Sequence, residues 1–127
     1  MKILIVDDNL MIRDGIKYLL SDFKIDCETF EASDGLQAIE FSTKLEFDFI
    51  FMDISMPNMD GITATGIIMK NNSNNKIIAI SMHTDKTDII KMKKAGAKGY
   101  ILKDTIGDTL KEAINRTLVG NDFFILR

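Results

Sequence analysis

The chain has 127 residues, 46% hydrophobic and 28% charged, with 16 basic and 19 acidic side chains and a formal net charge of −3. A domain of this size buries roughly two thirds of the surface its unfolded form exposes, and the composition excludes a disordered, collagen-like or coiled-coil chain. Charge is divided unevenly, with 5 basic against 13 acidic groups in residues 1–60 and 11 against 6 in residues 61–127; there is no overall positive surplus of the kind a generic nucleic-acid binder needs to release counterions.

In chain order, Lys2 to Val6 is a short apolar run that Asp7 and Asp8 cut off, which predicts a strand and excludes a signal peptide or membrane span at this end. Ile12, Ile16, Leu19, Leu20 and Phe23 then form one helical stripe. After a break at Lys24 to Asp26, Cys27 to Ala32 predicts a second strand. Cys27 is the only cysteine, so neither an internal disulfide nor a Cys/His zinc site is expected. A reducing, cytoplasmic setting fits. A helix is expected over about 35–44, a strand over Phe47 to Asp53, and a helix over about 61–70. The polar loop Asn71 to Asn75 precedes a strand over Lys76 to Met82 and a helix over about 85–95. Gly99 to Leu102 predicts the fifth strand, and the stripe Ile106, Leu110, Ala113, Ile114 and Leu118 the fifth helix. Residues 1–120 make the expected domain, with 121–127 as the start of a linker or tail.

Ile3–Val6, Phe49–Met52 and Ile77–Ile80 do not alternate with polar residues, which implies a parallel sheet covered on both faces. Five β-α units with right-handed crossovers suit a flavodoxin-like, doubly wound α/β fold with strand order 2-1-3-4-5 and five helices. In that order, ligands bind outside the carboxyl ends of strands 1 and 3.

Those ends carry Asp7 and Asp8 after strand 1 and Asp53 closing strand 3, with Ser81 closing strand 4 and Lys103 after strand 5. Two carboxylates about 5 Å apart repel by roughly 3 kcal/mol at an effective dielectric near 20, so three clustered ones need compensation. Lys103 leaves a net −2, which one divalent cation neutralises, and hard oxygen ligands suit Mg²⁺. A cation, an ammonium and a hydroxyl around one carboxylate are the equipment of phosphoryl transfer, and an aspartate can itself be the nucleophile. Asp53, rigidly placed at the end of the most hydrophobic strand, is the expected acceptor.

The Asp pair after strand 1, the Asp of FMDISMPNMDG, the Ser ending strand 4 and the Lys ending GYILK together resemble a response-regulator receiver domain, of the CheY-like superfamily, over essentially the whole chain. SMHTD and AGAKGYILKD further resemble the receivers of NarL/LuxR-type transcriptional regulators. The resemblance implies phosphorylation of Asp53 by a sensor histidine kinase, with Mg²⁺ held by Asp8, Asp53 and the main-chain carbonyl of Ser55 and reached by Asp7 through water. It implies that Lys103 and Ser81 bind phosphoryl oxygens and that Tyr100 turns with Ser81 to bias the surface of helix 4, strand 5 and helix 5. The implied partners are the kinase, expected to dock on Met11, Asp14, Gly15, Tyr18 and the loop Asp104–Gly107, and a second copy on phosphorylation. DNA is expected to be bound only through a domain absent from this chain, as in the N-terminal part of a DNA-binding regulator, the alternative being a stand-alone receiver that acts by protein–protein contact. The expected role is therefore a phosphoacceptor and not a turnover enzyme, with only intrinsic autophosphorylation and autodephosphorylation.

Met82, Ser55 and His83 stand where the family tunes access and lifetime. An aspartyl phosphohydrolase of the haloacid-dehalogenase type would want a second Asp where Ser55 stands, and a flavin or dinucleotide binder would want a glycine-rich loop where Asp7-Asp8-Asn9 stands.

Overall fold

The computed structural model describes residues 1–125, so residues 126 and 127 of the expected tail lie outside the described residues. Helices follow strands in strict alternation: β1 Lys2–Val6, α1 Leu10–Asp22, β2 Glu28–Ala32, α2 Gly35–Lys44, β3 Phe49–Asp53, α3 Gly61–Asn71, β4 Ile77–Ser81, α4 Lys86–Ala95 and β5 Gly99–Leu102. A 3₁₀ turn over Lys103–Thr105 leads into α5 Ile106–Leu118, and β6 Phe123–Phe124 follows. The expected elements are all present, with ends displaced by one or two residues. Phe47, expected in the third strand, stands before β3 yet is buried among Phe30 and Phe41.

All strand pairs are parallel, in the order β2-β1-β3-β4-β5-β6. The fold is the flavodoxin-like one expected, but among the described residues the sheet has six strands and not five. Phe123 and Phe124, expected to lie past the last element, pair beside Gly99 and Tyr100. The cause is a turn at Gly120, whose φ of +90° is glycine's territory. It carries the chain back so that Phe124 packs on the core beneath α4, and Phe123 and Ile125 on the core beneath α5. Two residues are too few for any periodicity to register.

The core explains the missing alternation. One face of the sheet, with Leu4, Val6, Ile50, Met52, Ala79 and Tyr100, packs on Ala38, Ala64, Ile68, Ile89 and Met92 of α2, α3 and α4. The other, with Ile3, Ile5, Phe49, Phe51, Ile80 and Ile101, packs on Ile16, Leu20, Leu110, Ala113 and Ile114 of α1 and α5. Buried on both faces, β3 and β4 contain only buried residues.

Helix caps fix where the helices begin. Asn9, Asp34, Asp60 and Asp85 each accept a backbone N–H of the first turn of α1, α2, α3 and α4, from Met11, Gln37, Thr63 and Thr87 respectively. These short polar connections all lie at the carboxyl edge of the sheet, which makes that edge the polar rim of the molecule. Among the described residues, no helix is long and apolar enough to cross a membrane.

Candidate functional site

A cleft of about 360 Å³ opens at that rim, lined by Asp7, Asp8, Asn9, Ile12, Asp53, Ser55, Ser81, Met82, His83 and Lys103. Every residue singled out from sequence for the chemistry, except Tyr100, lines it. Parallel register puts them there: Val6 sits beside Met52, Asp53 beside Ile80 and Ser81 beside Leu102, so the residues that end β1, β3, β4 and β5 come to one level. One carboxylate oxygen from each of Asp7, Asp8 and Asp53 can lie within 4.8 Å of the others. Asp7 and Asp53 are buried and Asp8 is exposed, so the cluster has a wet side.

Lys103 is the counter-charge. Its Nζ stands 2.8 Å from Asp7 Oδ2 and 3.2 Å from Asp53 Oδ1. Burial opposes the ammonium, but its bonds and attractions to the two carboxylates outweigh that and raise its pKa. Asp53 is pushed up to about 6, first by burial and then by the charge of Asp7, with Lys103 only partly offsetting them. One ammonium therefore does not satisfy three carboxylates.

The donor set fits a hard cation. Asp7 Oδ1 accepts the Asn9 backbone N–H at 2.9 Å. Asp7 Oδ2 is fully buried against the Lys103 ammonium, 2.8 Å away. A divalent ion among these oxygens would relieve their repulsion and leave Ser81 and Lys103 free to face a ligand on the open side.

Ser81 Oγ accepts the His83 backbone N–H at 3.1 Å, and the Tyr100 hydroxyl donates to the His83 carbonyl at 2.8 Å. Tyr100 is fully buried, its ring among the side chains beneath α4, and burial raises its pKa. One backbone residue thus joins the cleft serine to the buried tyrosine. Met82 and His83 are exposed at the mouth. Met11, Gly15 and Tyr18, with Ile106 and Gly107, line a second, more apolar cleft of about 320 Å³ beside Lys103.

Sequence reasoning missed two sets of residues. Arg13 donates from Nη1 to the Asp7 carbonyl at 2.7 Å and from Nε to Glu31 at 2.9 Å, and Lys17 also reaches Glu31. These tie α1, the Asp7 turn and β2 together. The basic pair at i, i+4 was visible, but its acidic partner on another strand was not. The other set is Asn58 and Asp34, whose side chains bond at 2.8 Å across 24 residues, a separation that leaves no local signal.

Comparison with known proteins agrees with this geometry. The chain matches the response regulator receiver domain over residues 3–115. It is 32% identical to the transcriptional regulatory protein DegU of Brevibacillus brevis over 96% of this chain and 52% of that protein. It is 33% identical to the nitrate/nitrite response regulator protein NarL of Escherichia coli over 93% of this chain and 55% of that one. The chain thus spans about half the length of these curated relatives. A crystal structure of a LuxR-family two-component response regulator from Aurantimonas superposes with a TM-score of 0.89 at 28% identity, covering 96% of this chain and 87% of that one. Receiver domains are signalling modules that interact with histidine kinases and phosphatases and typically bind Mg²⁺ in an acidic pocket. With its fold, its acidic cleft and these relatives in agreement, the chain belongs to the receiver domains of two-component response regulators, of the LuxR/NarL type.

Proposed function

We propose that Asp53 is the phosphoacceptor of this receiver and takes its phosphoryl group from a phosphohistidine of a sensor histidine kinase. The observation that carries this is the setting of Asp53: a rigid, buried carboxylate at the end of β3, 3.2 Å from the Lys103 ammonium and clustered with two further carboxylates in an open cleft. An Asp53 oxygen forms the new P–O bond as the donor P–N bond breaks, and the imidazole nitrogen leaves with the electron pair and takes up a proton. Asp8, Asp53 and the Ser55 main-chain carbonyl would hold Mg²⁺, with Asp7 acting through water. The ion would supply charge neutralisation at the phosphoryl oxygens.

This chain's own groups orient the rest. Lys103 binds one phosphoryl oxygen by a charge-assisted hydrogen bond, and Ser81 leaves the His83 N–H to bond another. That movement withdraws a partner from His83, whose carbonyl holds Tyr100, and so passes to the surface formed by α4, β5 and α5. The apolar cleft at Met11, Gly15 and Tyr18, with the exposed Asp14 and the segment Asp104–Gly107, suits docking of the kinase. A second copy would pair on phosphorylation, and DNA would be reached through a further domain following a receiver unit that, with β6 paired beside β5, extends past the expected residue 120 to include Phe123 and Phe124. Autophosphorylation and autodephosphorylation would be the only intrinsic reactions.

Incubation with acetyl phosphate, with and without Mg²⁺, followed by intact-protein mass spectrometry tests the assignment. One phosphoryl adduct is expected, dependent on the metal and absent from Asp53→Asn. An adduct that persists in Asp53→Asn would place the acceptor elsewhere.

A further inference from the structure

The connection between β3 and α3, residues 54–60, contains Ser55 and is fastened at both ends. At its exit, the Gly61 N–H donates to the Ile54 carbonyl at 2.8 Å, and a Cβ on Gly61 would stand 1.9 Å from the Asp53 carbonyl oxygen. That end is pressed on the backbone of β3 itself. Its far side is fastened to the start of α2. Asn58 has a left-handed φ of +66° and donates from Nδ2 to Asp34 Oδ2 at 2.8 Å. The Gly35 N–H donates to the Met59 carbonyl at 3.2 Å. A Cβ on Gly35 would stand 2.8 Å from that same carbonyl oxygen, so the glycine is what lets α2 and the loop meet.

Asp34 divides its two oxygens between separate tasks. Oδ1 caps α2 by accepting the Gln37 N–H at 2.9 Å, and Oδ2 holds Asn58. Capping needs only the first, and a serine would supply it. The second bond reaches 24 residues along the chain and ends on a loop that lines the acidic cleft at Ser55, while Asn58 itself does not line the cleft.

We propose that Asp34 and Asn58 are positioning residues for the cation site: their side-chain bond sets the placement of the 54–60 loop and, through it, of the Ser55 carbonyl relative to Asp8 and Asp53. The inference rests on the reading of that carbonyl as a Mg²⁺ ligand. Mg²⁺ demands near-octahedral ligands at about 2.1 Å, so a carbonyl on a loop free to drift binds it poorly. Loss of an outer partner that orients a ligand typically weakens metal binding by roughly 10–100-fold.

Asn58→Gly removes the tether while keeping the left-handed backbone accessible, and Asp34→Ser removes it while keeping the α2 cap. Mg²⁺ is titrated into wild type, each variant and the double variant without phosphodonor, following backbone amide shifts, and amide exchange is measured in metal-free protein. Each single variant is expected to bind Mg²⁺ about 10-fold more weakly, with no further loss in the double variant. The metal-free Gly35 amide should exchange faster while Gly61 stays protected. Acetyl phosphate labelling should return to the wild-type rate at saturating Mg²⁺, which general destabilisation would not produce. Wild-type affinity in both single variants, or additive losses in the double variant, overturns the inference alone. A wild-type chain that binds no Mg²⁺ overturns the reading of the site and this inference with it.

Discussion

Individual residues at the rim carry both structural and chemical tasks, and Asp34 shows how the two separate. The Gln37 backbone N–H first, and then the Asn58 amide, hold its carboxyl below the ordinary 3.8. A carboxylate with a depressed folded pKa adds stability that is fully present above its unfolded value and is lost as the pH falls through the folded value. Asp34→Ala is expected to cost about 1–2 kcal/mol at pH 7, as loss of a helix cap does. The gap from wild type should narrow as the pH drops below about 3.9, where the unfolded carboxyl protonates. Urea unfolding of both proteins between pH 7 and pH 3 checks this, and a gap constant over that range would show that the charge contributes nothing. The cap was legible in the sequence as Asp before a helical run. The link to Asn58 was not, because a contact across 24 residues leaves no local pattern.

Among the elements, β6 is the one that sequence patterning did not provide. Its amides at Phe123 and Ile125 donate to the Lys98 and Tyr100 carbonyls at 2.9 and 3.0 Å. Lys93 of α4 lies over the Phe124 ring and Arg116 of α5 over the Phe123 ring, contacts that contribute about 0.5–1 kcal/mol each at exposed sites. The strand can approach β5 only because residue 99 is glycine, since a Cβ there would stand 2.8 Å from the Phe123 carbonyl oxygen and 3.3 Å from Ile78. Gly99→Ala is expected to loosen β6 and to cost about 1–3 kcal/mol. Hydrogen exchange should show Phe123 and Ile125 losing protection while β3 and β4 keep theirs. Unchanged protection at both amides would mean that the alanine methyl is absorbed on the Ile78 side instead. The five longer strands and five helices were legible because runs of four or more residues display a period or an unbroken apolar stretch, and two phenylalanines display neither.

At the scale of the whole molecule, fold and cation site are linked through the crowding of carboxylates. A ligand that binds the native state alone at 100 times its dissociation constant adds about 2.7 kcal/mol, which for a domain of this size raises Tm by about 10 °C. Calorimetric scans over increasing Mg²⁺ should follow that course in wild type, and Asp8→Asn should flatten it. Asp8 is the test position because it is exposed and, unlike Asp7 and Asp53, has no ion pair with Lys103 among the described residues. A wild-type Tm indifferent to Mg²⁺ would argue against metal binding at the cluster.

The sequence by itself determined the alternation of elements, the parallel sheet and the residues at the carboxyl ends of β1, β3, β4 and β5, because strand burial and strand termini are local properties of composition. It also carried the family, since the acidic pair, Asp53, Ser81 and Lys103 are short motifs at strand ends. Tertiary structure alone decided which distant side chains meet: Glu31 with Arg13, Asp34 with Asn58, the Tyr100 hydroxyl with the His83 carbonyl, and β6 with β5. Those contacts depend on strand register and loop closure, which the packing of the entire core sets and no single segment specifies.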